Sequence, residues 1–232
     1  MIKTELCAGT GQAVSIARSL GIDRVELCQQ LEIGGITPSI GLQQFSCNLI
    51  ETHVLIRPRG GDFVYSSDEK EIMLKDISAT AALEVKGIVI GALQADGQLD
   101  TDWLKEALKV SRTLDLTCHK AFDETSDWQA AMEILVGLGF KRILTSGQAD
   151  NVLAGKEMLK AMKLKAAGKI EIMAGGGVKA NNARIVRDFA QPDAIHFSGT
   201  SVRKAAGNLR YTIDMLLPDA ELIGEILEKI KA

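Results

Sequence analysis

No stretch of this 232-residue chain approaches the roughly 20 consecutive apolar residues that a membrane-spanning helix needs. Its opening, Met1-Ile2-Lys3-Thr4-Glu5-Leu6-Cys7, lacks the basic, apolar and small-residue sections of a secretory signal and reads as a strand from residue 2. Cysteine is sparse. Cys7, Cys28, Cys47 and Cys118 are scattered, and no Cys-x-x-Cys occurs, which leaves no zinc ribbon and no thioredoxin motif. Scattered thiols without a leader predict reduced cysteines and a cytoplasmic protein. An excess of positive charge is also missing. Lys and Arg number 27 against 30 Asp and Glu, a net charge of −3, so nothing electrostatic argues for nucleic acid or an anionic membrane. The lysines of 156–169 follow helical spacing and read as a solvated helix face. No linker or low-complexity tract divides the chain. The dinucleotide fingerprint of an open doubly wound sheet is incomplete as well. Ala8-Gly9-Thr10-Gly11 supplies two glycines, but Val14 stands where the third belongs.

What is present is a rhythm. Short apolar strands end at Ile2–Cys7, Arg24–Cys28, His53–Arg57, Gly87–Ala92, Leu114–His119, Arg142–Ser146, Lys169–Ala174 and Ala194–Ser198, and a polar or glycine-rich turn and a helical pattern follow each. Eight such units in 232 residues predict one TIM-type (β/α)8 barrel filling the chain, with 46% apolar residues for its core. Thr10–Leu20 reads as the first helix, stopped by Gly21, and the second opens near Ser39 after Pro38. Ser67 reads as the cap of a third helix running to about Val85, with Ile72, Leu74 and Ile77 available to the core. Asp100, Ser126, Asp150 and Lys179-Ala180 open the next four. Ala205–Pro218 has no clear period, and about 220–231 reads as a closing amphipathic helix.

In such barrels chemistry sits at the C-terminal strand ends. Strand alternation puts Glu5 with Cys7, Glu26 with Cys28, Arg57 with His53 and Leu55, and His119 with Thr117. Carboxylates at 5 and 26 are costly to bury unpaired, and Arg57 and Arg59 are natural partners for them. Two outcomes stay open: an ion network that only stabilises, or a charged mouth that also grips a polar ligand, with Asp62 beside Arg59 contributing. His119 is a candidate acid or base with Asp123, four residues on, to orient it. Lys120 has the wrong strand parity to share the ligand side with His119, which argues against a Schiff-base role. Two anion cradles are expected, at Gly175-Gly176-Gly177 after strand seven and around Ser198 after strand eight, with Ser146 extending them. The candidate catalytic set is thus Glu5, Glu26, Arg57, His119 and Asp123, and the candidate ligand is a small phosphorylated or carboxylated molecule.

Several runs resemble the CutC family, described as copper homeostasis proteins, over roughly residues 2–204. They are Val25-Glu26-Leu27-Cys28 with Gly34-Gly35-Ile36-Thr37-Pro38-Ser39, Ile56-Arg57-Pro58-Arg59-Gly60-Gly61-Asp62-Phe63, His119-Lys120-Ala121-Phe122-Asp123, Leu144-Thr145-Ser146-Gly147 and Gly175-Gly176-Gly177. The resemblance implies a cytosolic barrel that forms homo-oligomers, a dimer or tetramer, with a role in copper homeostasis and no firmly assigned reaction. Copper(I) prefers thiolates, and Cys7 and Cys28 at neighbouring strand ends are the candidate ligands. Two departures bear on this. The family commonly ends strand eight with a His-Cys-Ser type of sequence, where this chain has His196-Phe197-Ser198, and it commonly has arginine where Lys120 stands.

Overall fold

The computed structural model describes residues 2–203 and 215–232. Eight parallel strands close into a barrel in chain order: β1 (Lys3–Ala8), β2 (Arg24–Leu27), β3 (Thr52–Leu55), β4 (Gly87–Ile90), β5 (Asp115–Cys118), β6 (Arg142–Thr145), β7 (Glu171–Gly175) and β8 (Ala194–Phe197). Helices α1 (Gly11–Ser19), α2 (Ile40–Cys47), α3 (Ser67–Thr80), α4 (Thr101–Ser111), α5 (Trp128–Gly137), α6 (Lys156–Ala166) and α7 (Ala183–Ala190) connect them. After β8 come an antiparallel pair, β9 (Thr200–Arg203) with β10 (Met215–Pro218), and then α8 (Ala220–Lys231). No helix among the described residues is long and apolar enough to cross a membrane.

The strands' outward residues are apolar. Leu6, Val25, Val54, Ile88, Ile143, Ile172 and Ile195 are fully buried against α1–α8. Each such side chain contributes roughly 1.5–3 kcal/mol on leaving water. The inward residues are largely charged or polar, which reverses the usual apolar filling of a small barrel. Register fixes who meets whom: Glu5 stands opposite Arg24 and His196, and Cys7 opposite Glu26.

Helix starts follow side-chain caps. Thr10 accepts from the Ala13 N–H, Ser39 from Leu42 and Asp100 from Trp103. Elsewhere the cap lies off the expected residue. Ser66, not Ser67, caps α3, because only Ser66 has Glu69 three residues on to complete a reciprocal capping box. Asp127 rather than Ser126 caps α5. The helix after β6 starts at Lys156, since Asp150 falls in the loop. Helix α3 ends at Thr80 and buries Met73 and Ile77, whereas Ile72 is 50% exposed. The aperiodic stretch Ala205–Pro218 contains β10; its residues 205–214 lie outside the described residues.

Candidate functional site

Below the barrel mouth lies a storey of buried charge. The Arg24 Nε donates to Glu5 Oε2 at 2.5 Å, both side chains 1% exposed, and a second Arg24 nitrogen lies 3.3 Å from Met173 Sδ. The other Glu5 oxygen is 2.8 Å from His196 Nδ1. Burial alone would push the Glu5 carboxyl up, but the His196 hydrogen bond and Arg24's charge hold it well below the usual carboxylate range. Further toward the N-terminal end, Arg142 donates to Glu171 at 2.8 Å and lies 3.2 Å from His53 Nδ1. Glu5 is therefore beneath the cavity rather than on its wall, because it sits two residues deeper on β1 than Cys7.

Above this storey the mouth opens as a cavity of about 1080 Å³. One wall is a stack. The Arg57 guanidinium lies 4.9 Å from the Phe63 ring centroid, and Phe63 lies 4.8 Å from the His119 ring. Arg57 is anchored to the carbonyls of Ile33, Gly35 and Gly61, which leaves its Nε as the uncommitted donor. Gly34 is required there: with φ at 86°, it would carry any Cβ to 2.9 Å from Arg57 Nη1. His119 Nδ1 accepts from the Ala121 N–H at 3.1 Å. Burial and the Arg57 charge push His119 down to about 3, so its ring is neutral at physiological pH with the proton on Nε2. That Nε2 has no protein partner.

Strands β1, β2 and β8 bring Cys7, Glu26 and His196 to the same cavity. Burial raises the Glu26 carboxyl. One of its oxygens is 3.8 Å from Cys7 Sγ and the other, Oε2, has no partner. Burial would favour the neutral His196 ring, but the Glu26 charge, Cys7 and the Glu5 hydrogen bond raise it well above its ordinary value. Cys7 and Cys28 sulfurs are 3.7 Å apart. Their hydrogen bond, with burial, raises the Cys7 thiol well above the ordinary range, so it keeps its proton. Cys28 is fully buried behind Cys7 and does not line the cavity.

Gly175, Gly176, Gly177 and Ser198 also line the cavity. Gly176 and Gly177 take φ of 111° and 70°, conformations that glycine adopts without strain. Lys120 also lines the cavity, its Nζ 3.5 Å from where a Cβ on Gly176 would be. Strand parity misjudged it: β5 ends at Cys118, and Lys120–Glu124 form a 3-10 turn in which alternation no longer applies.

Four other candidates are not brought to the cavity. Arg59 binds Glu69 at 2.6 Å and Asp62 at 3.1 Å, stacks over Tyr65, and braces the loop before α3 from outside. Asp62 is 72% exposed on that loop. The 3-10 turn carries Asp123 away from His119 to the loop after β6, where it accepts from the N–H groups of Ser146 and Gln148 at 2.9 and 3.0 Å. The Ser146 hydroxyl is taken up by that same cluster and by the Ala149 carbonyl. His196 was missing from the candidate set although its place near the end of the eighth strand marked it.

The described residues form a closed (β/α)8 barrel of the TIM type, with buried, unpaired polar groups at its C-terminal mouth. Within that class the chain belongs to the CutC family, whose model matches residues 2–201. It is 39% identical over 206 residues to family protein CutC of Glaesserella parasuis serovar 5, covering 88% of this chain and 85% of that one. The corresponding protein of Aliivibrio fischeri is 35% identical, with 99% of each chain covered. A crystal structure of CutC from Streptococcus agalactiae superposes with a TM-score of 0.82 at 35% identity, covering 85% of this chain and 99% of that one. An aldolase, QR15, shares the fold at a TM-score of 0.62 and 18% identity, over 85% of this chain and 89% of its own.

Proposed function

We propose that this CutC-family barrel binds and acts on a small phosphorylated or carboxylated molecule at its C-terminal mouth. One observation carries the reading: Glu26 Oε2, Arg57 Nε and His119 Nε2 are buried, lack a partner among the described residues, and belong to residues lining one cavity. Leaving such a group unmade costs about 1–3 kcal/mol each, and an evolved core normally pairs it. A bound anion would accept from His119 and Arg57, and a hydroxyl or protonated group would donate to Glu26. Lys120 and the Gly175–Gly177 turn supply the complementary end of the ligand site. A neutral Nε2–H donor in the same cavity as a carboxylate with a raised pKa suits proton transfer next to a polarised carbonyl, and isomerisation, carbon–carbon cleavage and hydrolysis all draw on that chemistry.

The test uses His119→Asn, whose side-chain oxygen still accepts from the Ala121 N–H while the Nε2 donor is lost. Phosphoglycolate, carrying both a phosphate and a carboxylate, is expected to raise the melting temperature of the parent and to bind the variant about 10–100-fold more weakly, the worth of a charge-assisted hydrogen bond. Equal binding by the two proteins would count against the mouth as the anion site.

A second reading, copper(I) binding in copper homeostasis, is favoured by the 3.7 Å separation of the Cys7 and Cys28 sulfurs. The name of the Streptococcus agalactiae relative ties that protein to copper homeostasis. Two thiols fit the soft ion in kind. They resist it in protonation, since Cys7 holds its proton strongly and carboxylates surround the pair. In titrations against a competing chelator, copper(I) affinity is expected to fall at least about tenfold in Cys7→Ser/Cys28→Ser and to be unchanged in Cys47→Ser. A double variant that binds like the parent would remove this reading.

A further inference from the structure

We propose that Cys7, Glu26 and His196 form a site for a borderline divalent cation of the zinc or cobalt type on the wall of the barrel mouth. The site shares Glu26 with the proposed ligand cavity, but metal binding is measured separately from anion binding. The three donors come from adjacent strands β8, β1 and β2, and their ligand atoms lie within 4.8 Å of one another. Cys7 Sγ and Glu26 Oε1 are 3.8 Å apart, a separation that one ion bonded to both can span.

Two further observations point to a ligand. First, Glu26 is 95% buried and its Oε2 has no partner, so an acceptor is left over beside the sulfur and the imidazole. Second, His196 is already oriented as a ligand: its Nδ1 is held by Glu5 at 2.8 Å, and Glu5 is itself locked by Arg24. That leaves Nε2 for the ion, in the carboxylate–histidine–metal arrangement that fixes ring orientation at metal centres. Gly175 makes room for the ring, because a Cβ there would come within 3.0 Å of the His196 Cβ.

The donor mix selects the ion. One sulfur, one nitrogen and one oxygen suit zinc or cobalt better than calcium or magnesium, which want oxygen alone, or copper(I), which prefers thiolates. Binding must displace the protons that Cys7 and His196 hold in the metal-free protein, and thiolate and carboxylate together then balance the ion's charge. Three protein ligands leave a fourth position, on the cavity side, for water or a ligand oxygen. Cys28 lies outside the set although its sulfur is 3.7 Å from Cys7, which separates this site from a two-thiol copper site.

The test is a cobalt(II) titration of the chelator-treated full chain, followed by zinc displacement. The expected result is a stoichiometric thiolate-to-cobalt charge-transfer band in the parent and in Cys28→Ser, lost in Cys7→Ser. Glu26→Gln and His196→Asn are expected to weaken binding by at least about tenfold. Circular dichroism checks that each variant folds. Alkylation of the parent at alkaline pH, where the Cys7 thiol can react, supplies a readout needing no variant: zinc is expected to protect Cys7 from iodoacetamide, as located by mass spectrometry. No cobalt band in the parent, a band surviving in Cys7→Ser, loss of the band in Cys28→Ser, or no protection of Cys7 would each overturn the site. Phosphoglycolate binding by metal-free protein, measured alongside, tests the anion reading separately.

Discussion

Replacing Arg24 by methionine is expected to lower the unfolding free energy by about 3–5 kcal/mol, the usual loss when one partner of a buried ion pair is removed. The reason is what stays behind. Glu5 is fully buried, and in the parent one of its oxygens accepts from Arg24 while the other meets His196. Without the guanidinium, half of that carboxylate faces Met173 and the apolar cluster it forms with Leu144 and Ala194, with no donor. Urea denaturation of parent and variant measures the difference, and a loss under about 1 kcal/mol would mean that the pair is not the keystone of the lower storey.

The same variant has a pH signature. In the parent the Glu5 carboxyl is held below its unfolded value, so its contribution is fully present above the unfolded carboxylate range near pH 4–5. That contribution is lost as pH falls toward the folded value. Removing Arg24 raises the folded value, so acid unfolding of Arg24→Met is expected to begin at higher pH than in the parent. His196 works in the opposite sense. Its folded value is raised, so the stability it adds is present below about pH 6.5 and is lost only as pH climbs through that raised value.

The fold was legible because its signals are local. Each of β1–β8 lies within two residues of an apolar run with a polar turn after it, and register then follows from closure of the barrel. Parity likewise brought Glu26, Arg57 and His119 to one cavity with the Gly175–Gly177 turn. It failed where the backbone stops being a strand. At Lys120 the chain has entered a 3-10 turn, and β3 has already ended at Leu55, so alternation predicted nothing about Lys120, Arg59 or Asp62. Depth along a strand was the other gap. Glu5 and Cys7 share a face, yet one residue pair of rise separates an ion-pair floor from a ligand wall. The β9–β10 pair was unread because four-residue strands, one of them with exposed Val202, carry too little periodicity.

Asp123→Ala is expected to destabilise the protein by about 3 kcal/mol, and to do so without touching the chemistry of His119, although only four residues separate them. The carboxylate accepts from the Thr145 hydroxyl, from the Ser146 N–H at 2.9 Å and from the Gln148 N–H at 3.0 Å. Hydrogen bonds to a charged group are worth about 1.5–3 kcal/mol each, and truncation leaves the backbone N–H of the fully buried Ser146 without its acceptor. Gln148 also gives up the bond that helps hold it at φ of 53°, a left-handed conformation unfavourable for a side chain of its kind. The loop so released touches the glycine turn, where the Val152 N–H donates to the Gly176 carbonyl at 2.9 Å. Loosening it is expected to weaken phosphoglycolate binding several-fold. Asp123→Asn keeps one acceptor oxygen and should cost about half as much stability. In both variants nitrogen NMR of the His119 ring is expected to report the neutral Nε2–H form at neutral pH, because its Nδ1 partner is the Ala121 N–H rather than Asp123. A change in the His119 tautomer or charge in Asp123→Asn would restore the orienting role that the spacing of the two residues suggests.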